Sequence, residues 1–194
     1  MRPHGYVGAV AMIVAGLLLS LRVEPVRTWF TPIIWSAYIL FADGLVYRLR
    51  GSSLLVDRRR DLLWLLPLSI GFWLVFEGYN FLLKNWYYVD VPMNLWLALL
   101  AYAWSFATIF PGLLETAELL EGLGLFRRAT VRPWSPSPPA LLALTTLGAL
   151  LLTIPLLFPS PYLFGLVWVG FIFLLDPAAL LLKGNAFQIG RAHV

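Results

Sequence analysis

Long apolar runs separated by short polar connections dominate the chain. Six of them approach the ~20 residues that an α-helix needs to cross a hydrocarbon core ~30 Å thick. They lie at about 5–21, 29–49, 62–83, 93–114, 140–158 and 162–182. The apolar positions are continuous and do not alternate with period two, so helices are expected rather than barrel strands. The first run follows a short basic start, as in a secretory signal, but it lacks a small-x-small cleavage site and further spans follow. It is read as a retained first helix that also directs insertion.

Composition agrees with this reading. Of 194 residues, 60% are hydrophobic and only 12% are charged, with a mean hydropathy of +0.81. A soluble domain carries roughly 25% charged residues. So few charges cannot coat a water-facing surface, and most of the exterior is expected to face lipid. The net charge of +4 does not point to nucleic acid, because the basic residues sit between the apolar runs, where topology explains them.

Those bases also orient the chain. With the N-terminus inside, the cytoplasmic connections hold Arg2, Arg48, Arg50, Arg58, Arg59, Arg60, Arg127, Arg128, Arg132 and Lys183, and the other side holds Arg22, Arg27 and Lys84. Both termini are therefore expected in the cytoplasm, with the protein multi-pass in the cell (inner, cytoplasmic) membrane of a prokaryote. Trp29, Phe30, Trp86, Tyr87 and Tyr88 fall at the opposite boundary, where amphipathic rings favour the headgroup level.

The spans divide at one long connection. Residues 1–114 form a first transmembrane unit, 115–139 a cytoplasmic interfacial helix and Pro/Ser linker, and 140–188 a second unit of two helices. A single constant offset superimposes Trp35 on Trp168, Tyr38 on Phe171, Ile39 on Ile172, Asp43 on Asp176, Arg50 on Lys183 and Gly51 on Gly184. Both copies run outside to inside, so the expected fold is an all-α integral membrane protein with a parallel tandem repeat, a four-helix unit followed by a truncated two-helix copy. The closing stretch IGRAHV, from Ile189 to Val194, matches the translation of a common sequencing adapter and is read as a non-native tail.

An ionisable side chain within a span costs at least ~2.5–3.5 kcal/mol, so it faces protein or water and often has a role. Asp43 and its repeat equivalent Asp176 are such groups, followed at one shared spacing by Arg50 and Lys183. In the third run Ser69, Trp73, Glu77, Asn80 and Lys84 recur at spacings of three and four, and so share one helix face. Glu77 and Asp43 fall about 12 Å apart along the membrane normal, which predicts two polar layers. The outer layer is expected to hold Glu77, Asn80, Asn85 and Trp86, and the inner one Asp43 with Ser105 and Thr108. Glu77 and Asp43 are the candidate catalytic acids, with Trp73, Asn80, Asn85 and Trp86 against a substrate. Glu115, Glu118 and Glu121 are expected to form the solvated edge of an interfacial helix.

Other chemistries lack their residues. The chain has no cysteine, its histidines are His4 and His193, and no GxxxxGK[ST] occurs. No metal or cofactor is expected. The expected partners are membrane lipids and an apolar or small-molecule substrate. Three functions remain open: binding or processing of an apolar lipid or isoprenoid by buried carboxylates, proton-coupled transport of a small solute, and a structural membrane subunit. An aromatic content of 15% favours the first.

Overall fold

The computed structural model describes residues 1–125 and 136–181. Arg127, Arg128, Arg132, Lys183, Gly184 and the tail from Ile189 lie outside the described residues. Within them the chain is helical, without strands. Its helices are α1 (Pro3–Ser20), α2 (Phe30–Arg50), α3 (Arg59–Leu83), α4 (Leu95–Ala107), α5 (Ile109–Gly122), α6 (Pro138–Leu157) and α7 (Phe164–Leu181). A 3₁₀ turn, Pro161–Leu163, precedes α7. Six segments are long and apolar enough to cross a membrane: α1, α2, α3, Leu95–Gly122, α6 and Pro161–Leu180. These are the features of a polytopic membrane protein.

The fourth span departs from expectation. It breaks at Thr108 into α4 and α5, and α5 continues to Gly122 through the stretch expected to begin an interfacial helix. Pro111 explains the break, because it has no N–H to donate back to the Ala107 carbonyl. Neighbouring groups satisfy the interrupted turn. The buried Ser69 hydroxyl donates to the Phe106 carbonyl at 2.5 Å and accepts the Phe110 N–H at 3.0 Å. The Thr108 hydroxyl donates to the Ser105 carbonyl at 2.6 Å.

The chain divides into two compact units. One is Met1–Leu74 with Tyr88–Arg127, and the other is Val75–Tyr87 with Arg128–Val194. In the first, α1 lies along α2, and α2 also packs on α5. Small residues permit the close approach of α1. A Cβ on Gly5 would stand 2.9 Å from the Gly44 Cα, and one on Gly8 would stand 2.5 Å from the Ala37 carbonyl oxygen and from the Phe41 nitrogen. Such contact between backbones is how helices associate where the hydrophobic effect cannot drive them together.

In the second unit α6 lies along α7 in the same manner. A Cβ on Gly148 would meet the Leu174 nitrogen, the Phe173 carbonyl carbon and the Gly170 oxygen within 2.9 Å. The atoms that crowd Gly8 belong to Ala37, Leu40 and Phe41. The offset that aligns Trp35 with Trp168 also carries these three α2 positions onto Gly170, Phe173 and Leu174. Gly8 and Gly148 depart from that offset by about two helical turns, which keeps the glycine on the facing side. Trp35 and Trp168 are also exposed alike, at 47% and 48%. An aromatic cluster fills the rest of this unit, with Phe76 buried against Phe164, Trp168 and Phe171 at centroid distances of 6.1, 4.3 and 5.4 Å.

Candidate carboxylate site

Asp43 lies on α2 two turns before the helix ends at Gly51, whose φ of 77° turns the chain back. The returning segment 53–55 therefore meets the helix it has just left. Asp43 has 0% exposure. Its Oδ2 accepts the Ser53 hydroxyl at 2.9 Å, and its Oδ1 accepts the Leu55 N–H at 2.7 Å. His4 Nε2 lies 2.7 Å from Oδ2. The contact between Gly5 and Gly44 brings the start of α1 close enough for this bond. Arg2 bonds the Tyr47 hydroxyl and lies 3.9 Å from its ring centroid, adding a second tie between the same two helices.

The inner layer thus has partners other than those expected. Among the described residues Asp43 is bonded by His4, Ser53 and Leu55, whereas Ser105 and Thr108 bond each other at the α4–α5 break. Arg50, one of the paired bases, reaches Glu121 at 3.1 Å.

The acidic stripe of α5 supplies the rest of the site. Spacings of three place Glu115 and Glu118 on the face that α5 turns toward α2. Glu115 is 0% exposed and Glu118 is 9% exposed, which corrects the expectation of a solvated edge. Only Glu121 is open to solvent. Glu118 is held by Arg58 Nη2 at 2.6 Å. Glu115 stands beside the Asp43 carboxylate with Glu118 and Arg58 nearby, yet neither of its oxygens meets a hydrogen-bond donor among the described residues. Two ionised carboxylates can only accept, so their contact becomes a hydrogen bond once one of them carries a proton. One turn earlier on α5, Gly112 faces the ring of Trp35, and a Cβ there would stand 3.6 Å from it. Next along α5, the Thr116 hydroxyl bonds the Tyr38 hydroxyl at 2.6 Å. A half-exposed aromatic wall therefore adjoins the buried acid.

Four of the expected outer residues do come together, in the second unit. Trp86 Nε1 donates to Glu77 Oε1 at 3.3 Å. The Asn80 side chain donates to the Trp86 carbonyl and accepts the N–H groups of Asn85 and Trp86, each at 3.0 Å. Asn80 thereby closes the end of α3, where Lys84 takes a left-handed φ of 52°. Asn85 Nδ2 donates to the Pro161 carbonyl at 2.9 Å, and the Trp86 ring packs edge-on against Phe164. Trp73 belongs to the first unit, where its ring meets Phe106 and its Nε1 lies 3.4 Å from the Tyr88 hydroxyl. Asp176 is buried within the second unit.

Sequence reasoning assigned neither His4, Ser53, Arg58 nor Glu115 to the site. The one available signal was the Glu115–Glu118 spacing, which fits a buried face as well as a wet one. Among the described residues no three His, Asp or Glu side chains converge as a metal shell requires. No family model, curated protein or solved structure matches the chain.

Proposed function

We propose that this polytopic membrane protein handles protons at the Asp43–Glu115 pair in order to bind or process an apolar lipid or isoprenoid. Glu115 carries the reading: both of its oxygens are buried and, among the described residues, without a hydrogen-bond donor beside a second carboxylate. Asp43 has three polar partners, which suit a charged carboxylate. Glu115 has no such donors among the described residues, and a bare charge there is costly, so it is the member of the pair fit to carry a proton. His4 and the Arg58–Glu118 pair flank the two acids with partly exposed side chains and link them to water. Trp35, against Gly112, offers its ring to an apolar chain or to a positive charge developing on it. Glu77, with Asn80, Asn85 and Trp86, is proposed as a second acidic site. Trp73 is proposed to contact the substrate from the first unit.

A second reading, a proton-coupled carrier, is favoured by the matched crossings at Gly8 and Gly148. They support a parallel repeat in which Asp43 and Asp176 are equivalent acids. In both readings the basic ends of the spans face the cytoplasm, as the arginine asymmetry favours, and the protein resides in the inner membrane.

Glu115→Gln tests these readings together, because the amide keeps the shape of the side chain and removes the exchangeable proton. Under the lipid reading, the isoprenoid and neutral-lipid fraction of expressing cells differs between wild type and variant, while proton flux into proteoliposomes is the same. Under the carrier reading the flux falls and the lipid fraction is unchanged. If a correctly inserted variant alters neither, the site is structural.

A further inference from the structure

Asp43 and Glu115 are both 0% exposed, so a proton that Glu115 gains or loses has to pass through a neighbouring group. Two partly exposed flanks adjoin the pair. On one, the Glu118 side chain is 11% exposed and is held by Arg58 Nη2 at 2.6 Å. A guanidinium does not give up its proton in a protein, so that flank ends in a fixed charge. On the other stands His4, the second residue of α1. Its side chain is 26% exposed, and Nε2 lies 2.7 Å from Asp43 Oδ2. Among the described residues its ring makes no other hydrogen bond. An imidazole can take up a proton at one nitrogen and release another from the second. The charged and titratable groups around this contact are otherwise engaged. Arg2 is bonded to Tyr47, Asp57 to the Ser53 N–H and Arg58 to Glu118.

From this arrangement we infer that His4 is the relay through which Glu115 exchanges its proton with water, with Asp43 as the link between them. The inference rests on the reading of Glu115 as the protonated member of the pair. Inward, His4 Nδ1 takes a proton from hydronium, and Nε2 gives its own to Asp43 Oδ2. Asp43, now a carboxylic acid, donates to a Glu115 oxygen and becomes an anion again. One proton has then moved from water to Glu115, and the N–H of His4 has moved from Nε2 to Nδ1. Outward transfer runs the same steps in reverse and restores the first tautomer, so atoms and charge balance over a cycle. Ser53 and the Leu55 N–H hold the carboxylate in place throughout. The contact of Gly5 with Gly44 keeps the ring against it.

The test uses the full chain in liposomes, followed by rapid-scan infrared spectroscopy on transfer from H2O to D2O. Subtracting the spectrum of Glu115→Gln isolates the Glu115 carbonyl stretch, whose downshift marks exchange. Two variants separate relay from packing. His4→Gln keeps an N–H donor for Asp43 but cannot pass a proton through its amide, and His4→Ala leaves room for free imidazole. Exchange at Glu115 is expected to be at least about tenfold slower than wild type in both. Imidazole in the buffer is expected to restore it in His4→Ala and not in His4→Gln. Wild-type exchange in either variant overturns the relay, as does slow exchange in His4→Ala that imidazole leaves unchanged. In those cases the Glu115 band itself is present and the reading of the pair stands. A wild type without that band overturns both.

Discussion

Asp43→Ala is expected to cost about 3–5 kcal/mol of stability and to free the start of α1 from α2. The substitution strands Ser53, the Leu55 N–H and His4, all of which converge on one carboxylate within 2.9 Å. A buried donor left without its acceptor incurs its full desolvation penalty, and here several do so at once. Asp43→Asn should recover part of the loss, because its carbonyl can still accept the Leu55 N–H and its amide can donate to the Ser53 hydroxyl. Denaturant unfolding in micelles, followed by helical circular dichroism, orders the three proteins as wild type, Asn, Ala. Equal stability of wild type and Asp43→Ala would mean that the carboxylate anchors nothing.

Gly8→Val should be nearly as damaging, for a steric reason. The new Cβ would lie 2.5 Å from backbone atoms of Ala37 and Phe41, and backbone cannot turn aside as a flexible side chain can. The helices must separate, at a cost of about 3 kcal/mol or more. That separation also pulls His4 away from Asp43, so packing and the site fail together. Gly148→Val should disturb the α6–α7 pair to a similar degree. Gly16 is the control: nothing lies within 4 Å of its absent Cβ, and Gly16→Ala should gain up to about 1 kcal/mol from helix propensity. Thermal stability of the three variants separates close helix contact from a general intolerance of larger residues.

The spans were legible because lipid imposes a coarse rule, one long apolar run for each crossing, which local sequence satisfies directly. Asp43 was legible for the same reason, since a carboxylate stands out within hydrocarbon. Its partners were not. His4 belongs to the first helix and Glu115 to the fourth span, and no local pattern brings them to one point with Asp43. The acidic stripe of α5 was misplaced because a three-residue spacing defines a face without saying what covers it. Pro111 near the end of an apolar run gave little warning of the break at Thr108, whose freed backbone groups are satisfied by Ser69 from another helix. The grouping of Glu77, Asn80, Asn85 and Trp86 was readable because those residues lie within one turn and its cap. Trp73 shares their helix face but not their unit.

Under the proposed function, Glu115 holds an exchangeable proton beside Asp43. Infrared spectroscopy of the membrane-reconstituted protein measures this directly through the carbonyl stretch of a protonated carboxyl group. Such a band is expected in wild type and in Glu118→Gln, with the Glu115 component missing from the spectrum of Glu115→Gln. An unchanged band in a folded Glu115→Gln protein, or a wild type without one, would contradict it.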